Sequence, residues 1–99
     1  MLNEIRTKGI ARYLVDERYD GEPIHLHISE VGPGQSSHPP HQHPGVESFY
    51  IFEGTGTLLL DGEEIALSAG EAVVIDSTRM HGLVASDAGP LRYMVIIRP

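Results

Sequence analysis

Glycine, proline and aspartate interrupt the chain throughout and leave only short apolar or alternating runs, which constrains its fold more than any other feature. No segment keeps a helical period over several turns, whereas short runs bounded by turn-forming residues are typical of β-strands. We therefore predict an all-β fold, arranged as a sandwich or barrel. The predicted strands are Ala11 to Asp16, Ile24 to Val31, Glu47 to Phe52, Gly56 to Leu60, Glu64 to Leu67, Ala72 to Ile75, His81 to Ala85 and Leu91 to Ile97. Asp61 and Gly62 predict a tight hairpin between two of them.

Composition narrows the class of protein. A chain of 99 residues fits a single domain, residues 1–99, with one modest core. Seven basic against fourteen acidic residues give a formal net charge of −7, which disfavours binding to nucleic acid or to an anionic membrane surface. The first ten residues lack the apolar core of a signal peptide, and no run reaches transmembrane length. The absence of cysteine suits a reducing cytoplasm and leaves nitrogen and oxygen donors for any metal. We expect a cytoplasmic protein with a small-molecule partner.

His41 and His43 lie one residue apart, and Pro40 and Pro44 flank them. Proline disfavours a helix here, and in an extended chain two residues so spaced point the same way. A chain reversal then brings Glu47 back beside the two imidazoles. A pair of surface histidines is the alternative interpretation. The added carboxylate, a glycine at position 54 that would close the next hairpin, and a distant histidine at position 81 favour a metal site instead.

The same residues resemble the two motifs of the cupin superfamily, specifically of the small single-domain cupins. His41, His43, Glu47 and Gly54 match the first motif, G-x5-H-x-H-x3-E-x6-G, from its first histidine onward. The second motif, G-x5-P-x-G-x2-H-x3-N, aligns Gly70 and His81 at the family's spacing, while Asp76, Thr78 and Ala85 replace its proline, glycine and asparagine. We expect Asp76, Ser77 and Thr78 to form the turn through side-chain hydrogen bonds instead.

The resemblance implies a cupin jelly-roll β-barrel of two packed antiparallel sheets. It also implies that His41, His43, Glu47 and His81 point into the barrel and hold a divalent transition metal, for which iron, manganese, nickel, copper and zinc are all suitable. The family favours a dioxygenase-like oxidoreductase that acts on a small oxygenated molecule. The alternatives are a metal-dependent isomerase, cyclase or decarboxylase, or a non-catalytic cupin that binds a small ligand.

Four residues are candidates for contacts with the substrate. Strand alternation places Phe49 and Ile51 on the same face as Glu47, next to the ion, although Phe49 serves equally well as ordinary core. Arg79 would share the inward direction of His81 and bind a carboxylate, or else lie in solvent. His38 could act as a general acid or base at the pocket mouth, but we favour a solvated side chain.

The remaining aromatic and histidine positions concern the surface. Tyr50 and Phe52 should face outward and cover the interface of a homodimer. His25 and His27 alternate with apolar residues, so either face of their strand could be the inner one. We favour an outward direction for both histidines. Tyr13 and Tyr93 cannot be oriented from their short strands, and Met80 should point away from His81.

Overall fold

The computed structural model describes the backbone of residues 6–8 and 11–18 and all atoms of residues 24–99. These residues form nine strands: β1 (Arg6–Lys8), β2 (Ala11–Arg18), β3 (His25–Val31), β4 (Val46–Glu53), β5 (Thr55–Leu60), β6 (Glu63–Ser68), β7 (Ala72–Asp76), β8 (His81–Ala85) and β9 (Leu91–Arg98). Strands β2 to β9 correspond to the eight predicted ones, with most ends shifted by one or two residues, and β1 was missed because three residues carry no alternation. No helix able to cross a membrane occurs in the described ranges.

The strands form two antiparallel sheets. A six-stranded sheet has the order β1-β2-β3-β9-β4-β7, and a three-stranded sheet has the order β6-β5-β8. Their facing sides share one apolar core, to which β4 contributes Phe49 and Ile51 and β5 contributes Leu58 and Leu60. The all-β jelly roll of two packed sheets is thereby confirmed. Tyr50 and Phe52 alternate with the buried residues of β4 and are exposed, as predicted.

Two turns explain how the chain moves between strands. Asp61 and Gly62 have φ values of 49° and 83°, the positive angles of the tight β5–β6 hairpin, which confirms that prediction. Gly54 does not close a hairpin, because β4 and β5 lie in different sheets. Its φ of 89° lets the chain cross between the sheets. A side chain there would overlap the carbonyl oxygen of Pro90, so this position requires glycine.

The register of the larger sheet fixes which side chains share its inner face. Residues opposite each other in a ladder point to the same side. Because Glu47 and Phe49 point inward, their partners on β9 and β3 must do so too. The inner rows are Glu47, Ile97 and His25, then Phe49, Val95 and His27, then Ile51, Tyr93 and Ser29. Two histidines of β3 therefore face the interior.

Candidate metal centre

Four potential metal ligands converge at one end of the barrel. His41 and His43 lie on the extended segment before β4, Glu47 is the second residue of β4, and His81 is the first residue of β8. One ligand atom from each of the four lies within 4.8 Å of the others. The structure thus brings together all four residues that the sequence suggested as ligands.

Backbone hydrogen bonds join the two segments that carry the histidines. His41 and His81 each donate their amide hydrogen to the other's carbonyl oxygen, with N···O distances of 2.9 and 2.8 Å. Further along, His43 donates to Ser77 at 2.9 Å, and Ser77 donates to Gly45 at 3.0 Å. The arrangement of the site is therefore built into the backbone.

The buried imidazole of His81 presents a lone pair to the site. Its Nδ1–H donates to the carbonyl oxygen of Arg79 at 2.8 Å, and because a carbonyl can only accept, Nε2 carries the lone pair in the neutral ring. Nε2 is buried and makes no hydrogen bond with any residue that the structure describes. It lies 3.4 Å from Oε1 of Glu47, without the alignment of a hydrogen bond. A buried acceptor without a donor is costly, and a bound cation would satisfy it.

His43 shows the same arrangement. Its Nδ1–H donates to the carbonyl oxygen of Pro44 at 3.0 Å, which leaves the lone pair on Nε2. That nitrogen lies 2.9 Å from Oε1 of Glu47, which is itself an acceptor when ionised. Two acceptors this close require a positive charge at the site, either a proton or a metal ion. The donor set of three imidazoles and a carboxylate suits a divalent transition metal.

His41 completes the set at the mouth of the cavity. Its side chain is exposed overall, yet its ring stacks on that of His38, with the ring centroids 4.0 Å apart. This partial burial, together with the electrostatic influence of the neighbouring His38, His81 and His43, lowers the pKa of His41 to about 4. His41 is therefore neutral, and able to donate a lone pair, throughout the physiological pH range.

The cluster opens into a cavity of about 180 Å³. Its wall combines polar and apolar residues: His25, His27, Ser37, His38, Phe49, Gly82, Leu83, Tyr93, Val95 and Ile97, besides the four candidate ligands. Phe49 thus lines the cavity as well as packing in the core. Ile51 does not line it, because it lies one row deeper on β4 and is fully buried in the core. Its prediction as a substrate contact is wrong.

Arg79 also lies away from the cavity. Its Nε donates to Oδ2 of Asp61 at 2.8 Å, and the ion pair is exposed to solvent. The residue precedes β8, so strand alternation does not govern its direction, and the predicted inward clamp is wrong. Met80 is exposed and points away from His81, as predicted. His38 reaches the cavity mouth, where its Nδ1–H donates to the carbonyl oxygen of Pro39 at 2.8 Å.

His25 and His27 line the cavity, so the favoured outward direction is wrong. Sequence reasoning also left Tyr93 without a direction, and it missed Ser37. Tyr93 is buried, and its hydroxyl lies 3.5 Å from Oγ of Ser37, at the outer limit of a hydrogen bond. The sequence does place Ser29 on the same strand face as the two histidines. The structure shows that Ser29 is fully buried, so this face is the inner one. The side chain of Tyr13 lies outside the described residues.

The turn before His81 forms without the motif's proline and glycine. Oδ1 of Asp76 accepts hydrogen bonds from the amide and the hydroxyl of Thr78, at 2.9 and 2.7 Å. These two donors lower the pKa of the Asp76 carboxyl. The predicted replacement of the motif's turn residues by side-chain hydrogen bonds is confirmed for Asp76 and Thr78. The buried Oγ of Ser77 has no partner among the described residues, and Ser77 contributes through its backbone amide and carbonyl instead.

The comparison with protein families agrees with this geometry. The cupin-domain model known as Cupin_2 matches residues 19–97, which is most of the chain. The chain belongs to the cupin family. The resemblance that the two motifs suggested is thereby confirmed.

Two relatives of this cupin carry names that state an activity. Over 64 residues it is 38% identical to dimethylsulfoniopropionate lyase DddW of Ruegeria pomeroyi, a match that covers 65% of this chain and 41% of the lyase. It is 30% identical to the solved structure of the polyketide cyclase RemF of Streptomyces resistomycificus, with a TM-score of 0.72. That match covers 88% of this cupin and 62% of the cyclase. The chain thus spans less than two thirds of either relative.

A third structure matches the fold more fully. The RmlC-like cupin of Shewanella frigidimarina superposes with a TM-score of 0.82, covering 97% of this chain and 83% of that one, at 20% identity. At this identity the likeness supports the jelly-roll fold alone.

Proposed function

We propose that this cupin is a metal-dependent enzyme that moves a proton on a small oxygenated substrate, in an elimination, isomerisation or cyclisation. The observation that carries the proposal is the shared cavity of the four-residue cluster with Tyr93, His25 and His27. Phenol and imidazole groups act as general acids and bases. The cavity volume of about 180 Å³ is below the roughly 300–1,000 Å³ of common ligand pockets, which favours a small substrate.

The two named relatives support proton transfer over oxidation. One is named a lyase and the other a cyclase, and neither name denotes a reaction with dioxygen. We therefore place elimination or cyclisation ahead of the dioxygenase chemistry that the family resemblance first favoured. The dioxygenase stays a prediction, and the assay below distinguishes the two.

The residues of the chain divide the work. A divalent ion held by the four-residue cluster would act as a Lewis acid toward a carbonyl or carboxylate oxygen of the substrate, which acidifies the neighbouring C–H bond. The apolar side chains of Phe49, Leu83 and Val95 exclude water from that bond. Exclusion of water strengthens the electrostatic interactions around it. Tyr93 and His27 are the groups that would accept the proton or return it.

Turnover with defined ions tests this proposal. The metal-free protein is loaded anaerobically with Fe²⁺, Mn²⁺, Ni²⁺, Cu²⁺ or Zn²⁺, and incubated in D₂O with dimethylsulfoniopropionate and a panel of small hydroxy and keto acids. Proton NMR then measures deuterium exchange and product formation. We expect exchange that requires the metal and stops on chelation. Oxygen consumption without exchange would favour a dioxygenase, and stoichiometric binding without turnover would favour a binding protein.

We also propose that this cupin forms a homodimer through the outer face of its six-stranded sheet. The pairing register places six apolar or aromatic side chains together there: Leu26, Ile28, Tyr50, Val74, Met94 and Ile96. Val74 is 68% exposed on the edge strand β7. Two copies with a net charge of −7 each repel one another, and a patch formed by these six uncharged side chains lets them approach at a low electrostatic cost. A second copy is therefore the partner that we assign to this face.

A further inference from the structure

The tip of the β5–β6 hairpin contacts the loop that precedes His81, through Asp61. The amide of Asp61 donates to the carbonyl oxygen of Met80 at 2.8 Å, and the amide of Met80 donates back to Oδ1 of Asp61 at 2.9 Å. Oδ2 of the same carboxylate accepts from Nε of Arg79 at 2.8 Å. Asp61 therefore holds both residues that precede His81.

One peptide unit connects this carboxylate to the imidazole. The amide hydrogen of Met80 and the carbonyl oxygen of Arg79 belong to the same planar group. That hydrogen is donated to Asp61, and that oxygen accepts the Nδ1–H of His81 at 2.8 Å. Because the unit is rigid, fixing its N–H fixes the direction of its C=O. Hydrogen bonds in such a chain also polarise one another, which strengthens the carbonyl as an acceptor.

We propose that Asp61 is a positioning residue for His81, acting through the Arg79–Met80 peptide to hold the Nδ1–H tautomer and direct the Nε2 lone pair into the site. This inference rests on the proposed metal site. A carboxylate hydrogen-bonded to the second nitrogen of a ligating histidine fixes the ring and raises its basicity. Here a peptide group is inserted between the carboxylate and the histidine.

The contacts of Asp61 with Arg79 and Met80 are better explained by the orientation of His81 than by a contribution to the stability of the fold. The side chains of Asp61 and Arg79 are 45% and 43% exposed, and exposed ion pairs contribute little to folding. Asp61 also has a φ of 49°, an angle that glycine or asparagine adopts more easily. The hydrogen bond from Arg79 and the one from the amide of Met80 lower the pKa of the Asp61 carboxyl, so it is ionised at neutral pH.

Three substitutions distinguish the effect of the Asp61 carboxylate from the effect of the turn conformation. Asp61→Gly keeps the positive φ and removes the carboxylate, Asp61→Asn keeps an oxygen for the Met80 amide, and Arg79→Gln removes the ion pair. Affinity for Zn²⁺ is measured by competition with a chromophoric chelator. We expect Asp61→Gly to bind Zn²⁺ about tenfold more weakly, the lower end of the effect of groups that orient ligands, and the other two to stay within about threefold of the unaltered protein.

A second measurement is independent of affinity. In the metal-free protein, nitrogen NMR of the imidazole is expected to show the Nδ1–H tautomer of His81, and Asp61→Gly is expected to mix the two tautomers. Urea unfolding checks that each variant is folded, and if Asp61→Gly is not, Asp61→Ala removes the same acceptor. Unchanged affinity and tautomer in the folded variant without the carboxylate would overturn the inference, as would an equal loss in Arg79→Gln. If the unaltered protein binds no Zn²⁺, the proposed metal site itself fails, and the inference with it.

Discussion

Nε2 of His81 lies 3.4 Å from Oε1 of Glu47, and both side chains are buried although no hydrogen bond joins them. Glu47 comes from the larger sheet and His81 from the smaller one. A lone pair and a carboxylate facing each other across the interior make a site for a cation where the two sheets meet.

Removal of His81 should abolish metal binding. We expect His81→Ala to weaken the affinity for Zn²⁺ by more than about 100-fold, since even groups that only orient a ligand contribute roughly 10–100-fold. Chelator competition measures the effect. Met80→Ala alters the exposed neighbour and should bind like the unaltered protein. Affinity retained in His81→Ala would show that four donors do not act together.

The pKa of His41 predicts a pH dependence of stability in the metal-free protein. Its pKa is about 4 in the fold, against 6.5 for an ordinary histidine in the unfolded chain, because of burial and the electrostatic influence of His38, His81 and His43. Between these values the unfolded chain takes up a proton that the folded chain does not. The free energy of unfolding should therefore fall as the pH decreases from 6.5 toward 4.

Urea unfolding at several pH values measures this slope. His41→Asn has no titrating group at this position and should show a shallower dependence across the same window. Equal slopes for the two proteins would contradict the lowered pKa.

Tyr93 should affect turnover and leave metal binding unchanged. Loss of a general acid or base commonly costs about 10²–10⁴ in rate, so Tyr93→Phe should lower kcat on this scale with an unchanged Kd for Zn²⁺. Tyr50→Phe, on the outer face, is the matched control. An unchanged kcat in Tyr93→Phe would show that the Tyr93 hydroxyl takes no part in the proposed proton transfer.

Gly54 and Gly70 separate two causes of strain. Their φ values, 89° and 88°, are nearly the same, but only at Gly54 would a side chain meet the backbone of Pro90. A non-glycine residue in such a conformation costs about 1–3 kcal/mol, which Gly70→Ala should show alone. Gly54→Ala should lower the free energy of unfolding by clearly more. Equal losses would mean that the crossing between the sheets relaxes freely.

The outer face of the larger sheet should control self-association. We expect the unaltered chain to be a dimer by light scattering after size exclusion, and Val74→Lys to be a monomer because a charge would be buried in the interface. Glu64→Lys changes an exposed residue of β6 in the other sheet and should stay dimeric. A monomeric unaltered chain would contradict the assignment.

Local pattern predicted much of the fold and the candidate ligand cluster. Alternation along β4 correctly separated Phe49 from Tyr50, because one face of that strand is buried and the other is exposed. The prolines around His41 and His43 indicated an extended segment. The distant His81 needed the spacing of a second motif, since nothing local shows which strand lies opposite.

The errors arose where a distant partner decides the outcome. His25 and His27 point inward because β3 pairs with β9 in a register that no local pattern reveals. The apolar residues that alternate with them suggested an apolar inner face, but they belong to the apolar outer face. Arg79 points outward because Asp61, 18 residues away, accepts a hydrogen bond from its guanidinium group. Register and long-range ion pairs are properties of the assembled barrel.

The backbone hydrogen bonds between the two histidine-bearing segments have a practical consequence. Because peptide groups link His41 to His81 and His43 to Ser77, the ligand-bearing segments stay in place whether or not an ion is present. An ion bound at the proposed site could therefore be removed and replaced on the folded protein, with no refolding step between one metal and the next. In the assay of the proposed activity, one preparation could be loaded with each ion in turn, so that any difference in rate would reflect the metal and not the history of the chain.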